Sequence, residues 1–177
     1  MSFLKRFSRN RGALIGLTIL IVVVLFAILA PSLYPQSPWR TVARPFLAPF
    51  VMERFPLGTD TLGRDIASGL AHGARVSLTI GLVSTLVAFL IGVPLGAVAG
   101  YAGGIVDDVL MRFTEFFQTI PSFALAIVLV AILQPKLGSI VLAIGVVSWP
   151  PVARLVRGEV LSLKTREYVQ AAITIGQ

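Results

Sequence analysis

From Gly12 to Ala30 the chain runs through nineteen residues without a charge, directly after Lys5, Arg6, Arg9 and Arg11. A helix rises about 1.5 Å per residue, so this run nearly crosses a hydrocarbon core about 30 Å thick. A cleaved signal peptide is the competing reading, but its apolar region is about 7–15 residues and ends at a small-residue site. This run is longer and ends Ala30-Pro31, and a retained helix is expected. The basic flank predicts a cytoplasmic N-terminus.

Three further apolar runs follow, from Val76 to about Gly100, from about Phe113 to Leu133, and from Leu137 to about Leu163. Gln134-Pro135-Lys136 turns the chain between the last two, and Pro150-Pro151 predicts a kink in the fourth. The expectation is an all-α, polytopic transmembrane bundle of about four spans. With 56% hydrophobic and 13% charged residues, against about 25% charged in a soluble domain, the chain has no composition for a large soluble core. The stretch from 31 to about 74 differs. Pro31, Pro35, Pro38, Pro45, Pro49 and Pro56 break any long helix there, and its charges forbid a span. It reads as an exported loop.

The net charge of +7 invites a nucleic-acid reading. The Lys and Arg, however, sit at the ends of apolar blocks, and no basic stripe with interleaved aromatics appears, so nucleic acid is not an expected partner. Lys5, Arg6, Arg9, Arg11, Arg112, Arg154, Arg157, Lys164 and Arg166 fall on the cytoplasmic side of this layout. Arg40, Arg44, Arg54, Arg64, Arg75 and Lys136 fall on the exported side, a bias of the sign the positive-inside rule requires. There is no Cys, which excludes disulfides and thiolate metal sites. No Gly-x-x-x-x-Gly-Lys-Ser/Thr phosphate loop exists, so ATP is not bound by that mechanism. No catalytic or metal site is expected.

Three constellations stand out. Ser84, Ala88, Gly92, Gly96 and Gly100 recur every fourth residue and form one small-residue stripe on the second span. Such stripes let helices approach closely in lipid; the stripe faces either another pore helix or partner subunit, or a helix of the same chain. Pro56-Leu-Gly-Thr-Asp-Thr-Leu-Gly-Arg-Asp65 reads as an ordered turn in which Asp60, Arg64 and Asp65 pair and Gly58 and Gly63 permit tight turns. Its carboxylates have no neighbouring ligand set, and His72, the sole histidine, reads as an interfacial residue. The third is the terminal segment. Thr165 is expected to cap a short helix, with Glu167 in its first turn and Gln170, Ala171, Ala172 and Gly176 following. A small-residue face suits docking into a partner's groove; a helix lying on lipid is the alternative. Nothing ionisable lies mid-span, where ion-coupled transporters place a carboxylate or His. Gln118 reads as an interhelical hydrogen bond or, with Thr119, Pro121 and Ser122, as a polar pathway lining.

These motifs occur in an order that resembles a known family. The start Phe7-Ser-Arg-Asn-Arg-Gly-Ala-Leu-Ile-Gly16 is followed by the Leu57-Gly-Thr-Asp60 and Gly63-Arg-Asp65 elements. Gly73-Ala-Arg-Val-Ser-Leu78 comes next. Trp149-Pro-Pro-Val-Ala-Arg154 then runs into Arg166-Glu-Tyr-Val-Gln-Ala-Ala172. Together they resemble the C-type permease subunit of dipeptide/oligopeptide ABC importers, of the type I fold, over essentially the whole chain. The resemblance implies a transport protein without enzymatic chemistry of its own, in the cell (inner) membrane. Its implied partners are a homologous B-type permease, two cytoplasmic ATPase subunits that carry the ATP, an extracytoplasmic solute-binding protein, and membrane lipid. Glu167, Gln170, Ala171, Ala172 and Gly176 map onto the family's ATPase-coupling loop, with Gln170 where the family often has Glu. The implied organisation is an N-terminal region, 1–75, with the first span and exported loop, and a permease domain, 76–177. Family members continue beyond the loop with further helices, so the chain is expected to be a fragment or truncated product. A fragment of an ion-coupled secondary transporter or channel, and a membrane scaffold, are the readings from other classes.

Overall fold

The computed structural model describes residues 7–176. Lys5, Arg6 and Gln177 lie outside the described residues. Its helices run in the order α1 (Arg11–Leu33), α2 (Ile66–Ala102), α3 (Gly104–Thr119), α4 (Ser122–Leu133), α5 (Leu137–Lys164) and α6 (Glu167–Thr174). Among the described residues the only β pairing is two isolated bridges in the loop before α2. α1, α2 and α5 are each long and apolar enough to cross a membrane, and α3 with α4 forms a bent pair that passes the same test when the two are taken together. The protein is a multi-pass, all-helical membrane protein. It packs as two units, one through Thr79 and one from Ile80, and the division falls within α2.

In the first unit, Asn10 caps α1, its side chain accepting the Ala13 N–H at 3.1 Å. Pro31 sits in the last turn, and the Tyr34 N–H closes the helix on Ala30 O at 2.8 Å. The helix α2 starts ten residues before the apolar run at Val76. Asp65 is the reason: its carboxylate accepts the Ala67 N–H at 2.9 Å, satisfying a first-turn donor that would otherwise be orphaned. The end of α1 is tied to this early part of α2 by His72, whose Nε2 lies 3.0 Å from Tyr34 O.

The second unit is organised by one seam. Ser84, Ala88, Gly92, Gly96 and Gly100 are all buried and face α5 of the same chain. The Ser84 hydroxyl donates to Val141 O at 3.2 Å. A methyl added at Gly92 would lie 2.8 Å from Trp149 O, and one at Gly100 2.9 Å from Arg157 O. At Gly96 it would run into the Ala153 carbonyl. From the other side, Gly145 of α5 faces Val87 and the Ser84 carbonyl. Val141, Trp149, Ala153 and Arg157 lie 57 residues after Ser84, Gly92, Gly96 and Gly100 in turn, so the two helices run parallel, with i±4 ridges in register. A parallel pair in one chain requires a return between them. The bent α3–α4 pair is therefore a single crossing.

That crossing departs from the sequence expectation of one continuous helix over about 113–133. The helix begins nine residues earlier, at Gly104, and breaks at Ile120-Pro121 with an 81° bend. Pro121 cannot donate, and its ring pushes Ile120 out of helical geometry, to φ −86°, ψ 127°. The α5 helix, by contrast, continues through Pro150-Pro151. There Trp149 is buried against Phe113 (ring centroids 5.9 Å apart) and Phe117 (5.4 Å) of α3.

The seam makes a sharp prediction. Gly96→Ala should cost about 1–3 kcal/mol of stability, because the added methyl meets backbone that cannot rotate away. Gly81→Ala, in the same helix with open space at its Cβ, should be neutral or gain up to about 1 kcal/mol. Thermal unfolding of the two variants in one detergent checks the contrast.

Candidate functional site

Three places carry polar chemistry. The first is the loop before α2. Gly58 and Gly63 both adopt φ +73°, and a side chain at either would collide with the carbonyl of Leu47 or Ala43. Between them Thr59 is buried; its hydroxyl donates to Arg44 O at 2.6 Å and accepts the Leu47 N–H at 3.0 Å. Asp60 closes the turn, its Oδ1 accepting the N–H groups of Leu62 (2.8 Å) and Arg64 (2.9 Å). Its Oδ2 lies 3.0 Å from Arg64 Nε. Arg64 also lies over the Trp39 ring, 5.4 Å from its centroid. The sequence expectation of three mutually paired charges is corrected here. Asp60 and Arg64 pair, while Asp65 is occupied as the cap of α2. Thr59, which holds the two sides of the loop together, was not singled out from the sequence; its hydroxyl between two turn glycines was the available signal.

The second place joins α3 to α5. Arg157 donates through Nε and Nη2 to the two carboxylate oxygens of Asp107, both at 2.5 Å, the parallel fork that makes Arg–carboxylate pairs strong. One turn earlier on α5, Arg154 Nη1 donates to Gln118 Oε1 at 2.6 Å. Gln118 thus makes an interhelical bond. An open cleft of about 720 Å³ lies beside them, lined by Asp108, Met111, Arg112, Glu115, Arg154 and Arg157. Sequence reasoning missed Asp107. Its partner lies 50 residues away, and the reading of Arg157 stopped at its role as a topology charge.

The third place is α6. Thr165 does not cap it: its hydroxyl donates back to Ser162 O at 2.8 Å, and Thr165 ends α5. Arg166 occupies the N-cap without a side-chain bond, and Glu167 stands in the first turn, where its charge complements the helix dipole. Gln170 Nε2 donates to Lys164 O at 2.7 Å, holding α6 against the end of α5. Glu167, Gln170 and Ala171 are exposed and Ala172 is half-buried. Gly176 adopts φ +86°, its N–H donating to Ile173 O. It is the left-handed residue that terminates the helix, a geometry that costs any other residue strain. Tyr168, Ile173 and Ile175 are exposed beside it. Among the described residues no group of three His, Asp or Glu side chains converges as a metal site would require.

The N–H of Arg64 donating to Asp60, helped by the Leu62 N–H and the guanidinium, holds the Asp60 carboxyl below the ordinary carboxylate value. Its stabilising effect on the loop is therefore complete above the unfolded value of about 3.9 and fades as pH falls through the lower folded value. Trp39 emission, read in a Trp149→Phe background, should change over that acid range. Asp60→Asn should remove the transition and loosen the loop at neutral pH.

Residues 92–176 match the family model described as binding-protein-dependent transport system inner membrane component. Residues 2–56 match the N-terminal TM domain of oligopeptide transport permease C. The chain is 40% identical over 173 residues to the dipeptide transport system permease protein DppC of Bacillus subtilis, covering 97% of this chain and 53% of that protein. It is 41% identical over 180 residues to the di/tripeptide permease DppC of Pseudomonas aeruginosa (98% and 59%). It is 40% identical over 172 residues to the oligopeptide permease OppC of Escherichia coli K12 (95% and 56%). The chain spans a little over half the length of these curated relatives.

Proposed function

The chain belongs to the family of binding-protein-dependent transport system inner membrane components, and from that premise we propose that it serves as a permease subunit of an ATP-driven importer for peptides or a related small solute. The relatives' names, dipeptide, di/tripeptide and oligopeptide permeases, favour this over an ion-coupled transporter. The observation that carries the mechanism is α6: a short exposed helix with a small-residue face, ended by a left-handed glycine and held to α5 by Gln170.

In this reading α6 docks in a groove of a cytoplasmic ATPase. ATP binds on that separate subunit, and closure of the two ATPases pushes α6 and α5 together. A homologous B-type permease completes the pathway, and an extracytoplasmic solute-binding protein delivers the cargo. In this reading four crossings return α6 to the side of the N-terminus, and the basic flank of the first span favours the cytoplasm for that side. The exposure of Glu167, Gln170 and Ala171 leaves them available to a partner, and exposed Tyr168, Ile173 and Ile175 supply apolar anchors of the kind helix-in-groove docking uses.

The test is ATP-dependent solute uptake by the assembled importer in proteoliposomes. Ala171→Asp with Ala172→Asp, or Gly176→Arg, should reduce uptake to background while the permease still accumulates in the membrane. Uptake equal to wild type in both variants would remove α6 from the coupling role.

A further inference from the structure

Any displacement of α6 first reaches the C-terminal half of α5, on which it packs. Three of the contacts that tie that half of α5 to its surroundings lie nearest α6. The Arg157 carbonyl lies against Gly100 of α2. Lys164 Nζ donates to Tyr101 O, also of α2, at 2.9 Å. The Arg157 side chain makes the two-pronged ion pair with Asp107 of α3. The first two contacts hold α5 to the helix it already runs parallel to. The third reaches forward to the near end of α3, and the single Arg154–Gln118 bond reaches its far end.

The joint between α2 and α3 is permissive. Gly103 and Gly104 both have left-handed φ, +67° and +52°, and neither has an atom within 4 Å of where a side chain would begin. Two successive glycines in open space offer little resistance to rotation. Direction must therefore come from contacts of α3 itself. At its far end these are the apolar rings around Trp149, which permit sliding because dispersion is not directional, and one exposed hydrogen bond from Arg154 to Gln118, which lacks the second prong that fixes an angle. At its near end there is a planar guanidinium with both prongs engaged, which fixes distance and angle together. The Asp107 side chain is mostly buried and that of Arg157 is about one-third exposed, so the pair is only partly screened by water.

We propose that Asp107 and Arg157 form the strut through which a push on α6 turns α3, so that α5 and α3 move as one body about the Gly103-Gly104 joint. The proposal rests on the coupling role of α6 above. It adds that these two residues, which meet neither ATPase nor solute in that reading, set how much of the ATPase motion reaches the crossing formed by α3 and α4. They are positioning residues.

The readout is solute moved per ATP hydrolysed, measured in proteoliposomes of the assembled importer. Asp107→Asn and Arg157→Gln should lower that ratio about tenfold, the scale of a typical coupling between sites, while ATP hydrolysis continues. Arg157→Lys keeps the charge but loses the fork and should fall between. Asp107→Arg with Arg157→Asp, which restores the pair in reverse, should recover much of the ratio. An unchanged ratio in the single variants overturns the strut. Loss of the protein from the membrane in the single variants, together with an unchanged ratio in Arg157→Lys, also overturns it and leaves a structural staple. A wild-type chain whose uptake is insensitive to ATP defeats the importer reading itself, a different result from either.

Discussion

The second unit depends on how closely α2 and α5 approach. Their backbones come near enough that a methyl group at Gly92, Gly96 or Gly100 has no room. In lipid, helices gain little from burying apolar surface against each other, and close backbone contact with its dispersion and dipole interactions becomes a main source of cohesion. The contacts between α5 and its neighbours follow from that register. It sets Arg157 within reach of Asp107, brings Lys164 to the Tyr101 carbonyl, and presents Trp149 to the aromatic face of α3. A slip of α5 by one residue would rotate its facing residues by about 100° and undo all three.

Much of this was legible because membrane helices write their needs in composition. The stripe from Ser84 to Gly100 repeats every fourth residue, which in a long apolar helix puts it on one face. Its partner could not be read, since that requires the 57-residue offset that only three-dimensional packing reveals. The break at Ile120-Pro121 was present in the sequence as a proline, but the run from Phe113 to Leu133 is apolar enough to mask it, and hydropathy counts length rather than direction. Thr165 was misjudged for a related reason. Threonine favours the start of a helix, but its hydroxyl can also donate back to a carbonyl of the preceding turn, and here it does so at the end of α5. Asp107 escaped because the helix that carries it starts at Gly104, ahead of the apolar run.

The loop before α2 solves a different problem. It has little regular pairing, so its order comes from single side chains that each satisfy several backbone groups. Thr59 and Asp60 bind four backbone groups between them, and the glycines at 58 and 63 let the chain reverse around them. Asp65 then converts the end of the loop into the start of a helix. The element recognisable in the sequence as Leu57-Gly-Thr-Asp60 through Gly63-Arg-Asp65 is thus a set of backbone requirements.

The adjacent prolines of α5 have a consequence for its surroundings. Neither Pro150 nor Pro151 carries an N–H, so the carbonyls of Val146 and Val147 receive no bond from the following turn. In hydrocarbon an unpaired carbonyl costs several kcal/mol. These two oxygens therefore carry a solvation demand that lipid tails cannot meet, and this stretch of α5 must present them to protein donors or to water. The burial of Trp149 and Pro150 within the chain is half of that arrangement. Pro151, exposed on the same turn, marks where the rest of that demand falls on whatever lies beside the helix.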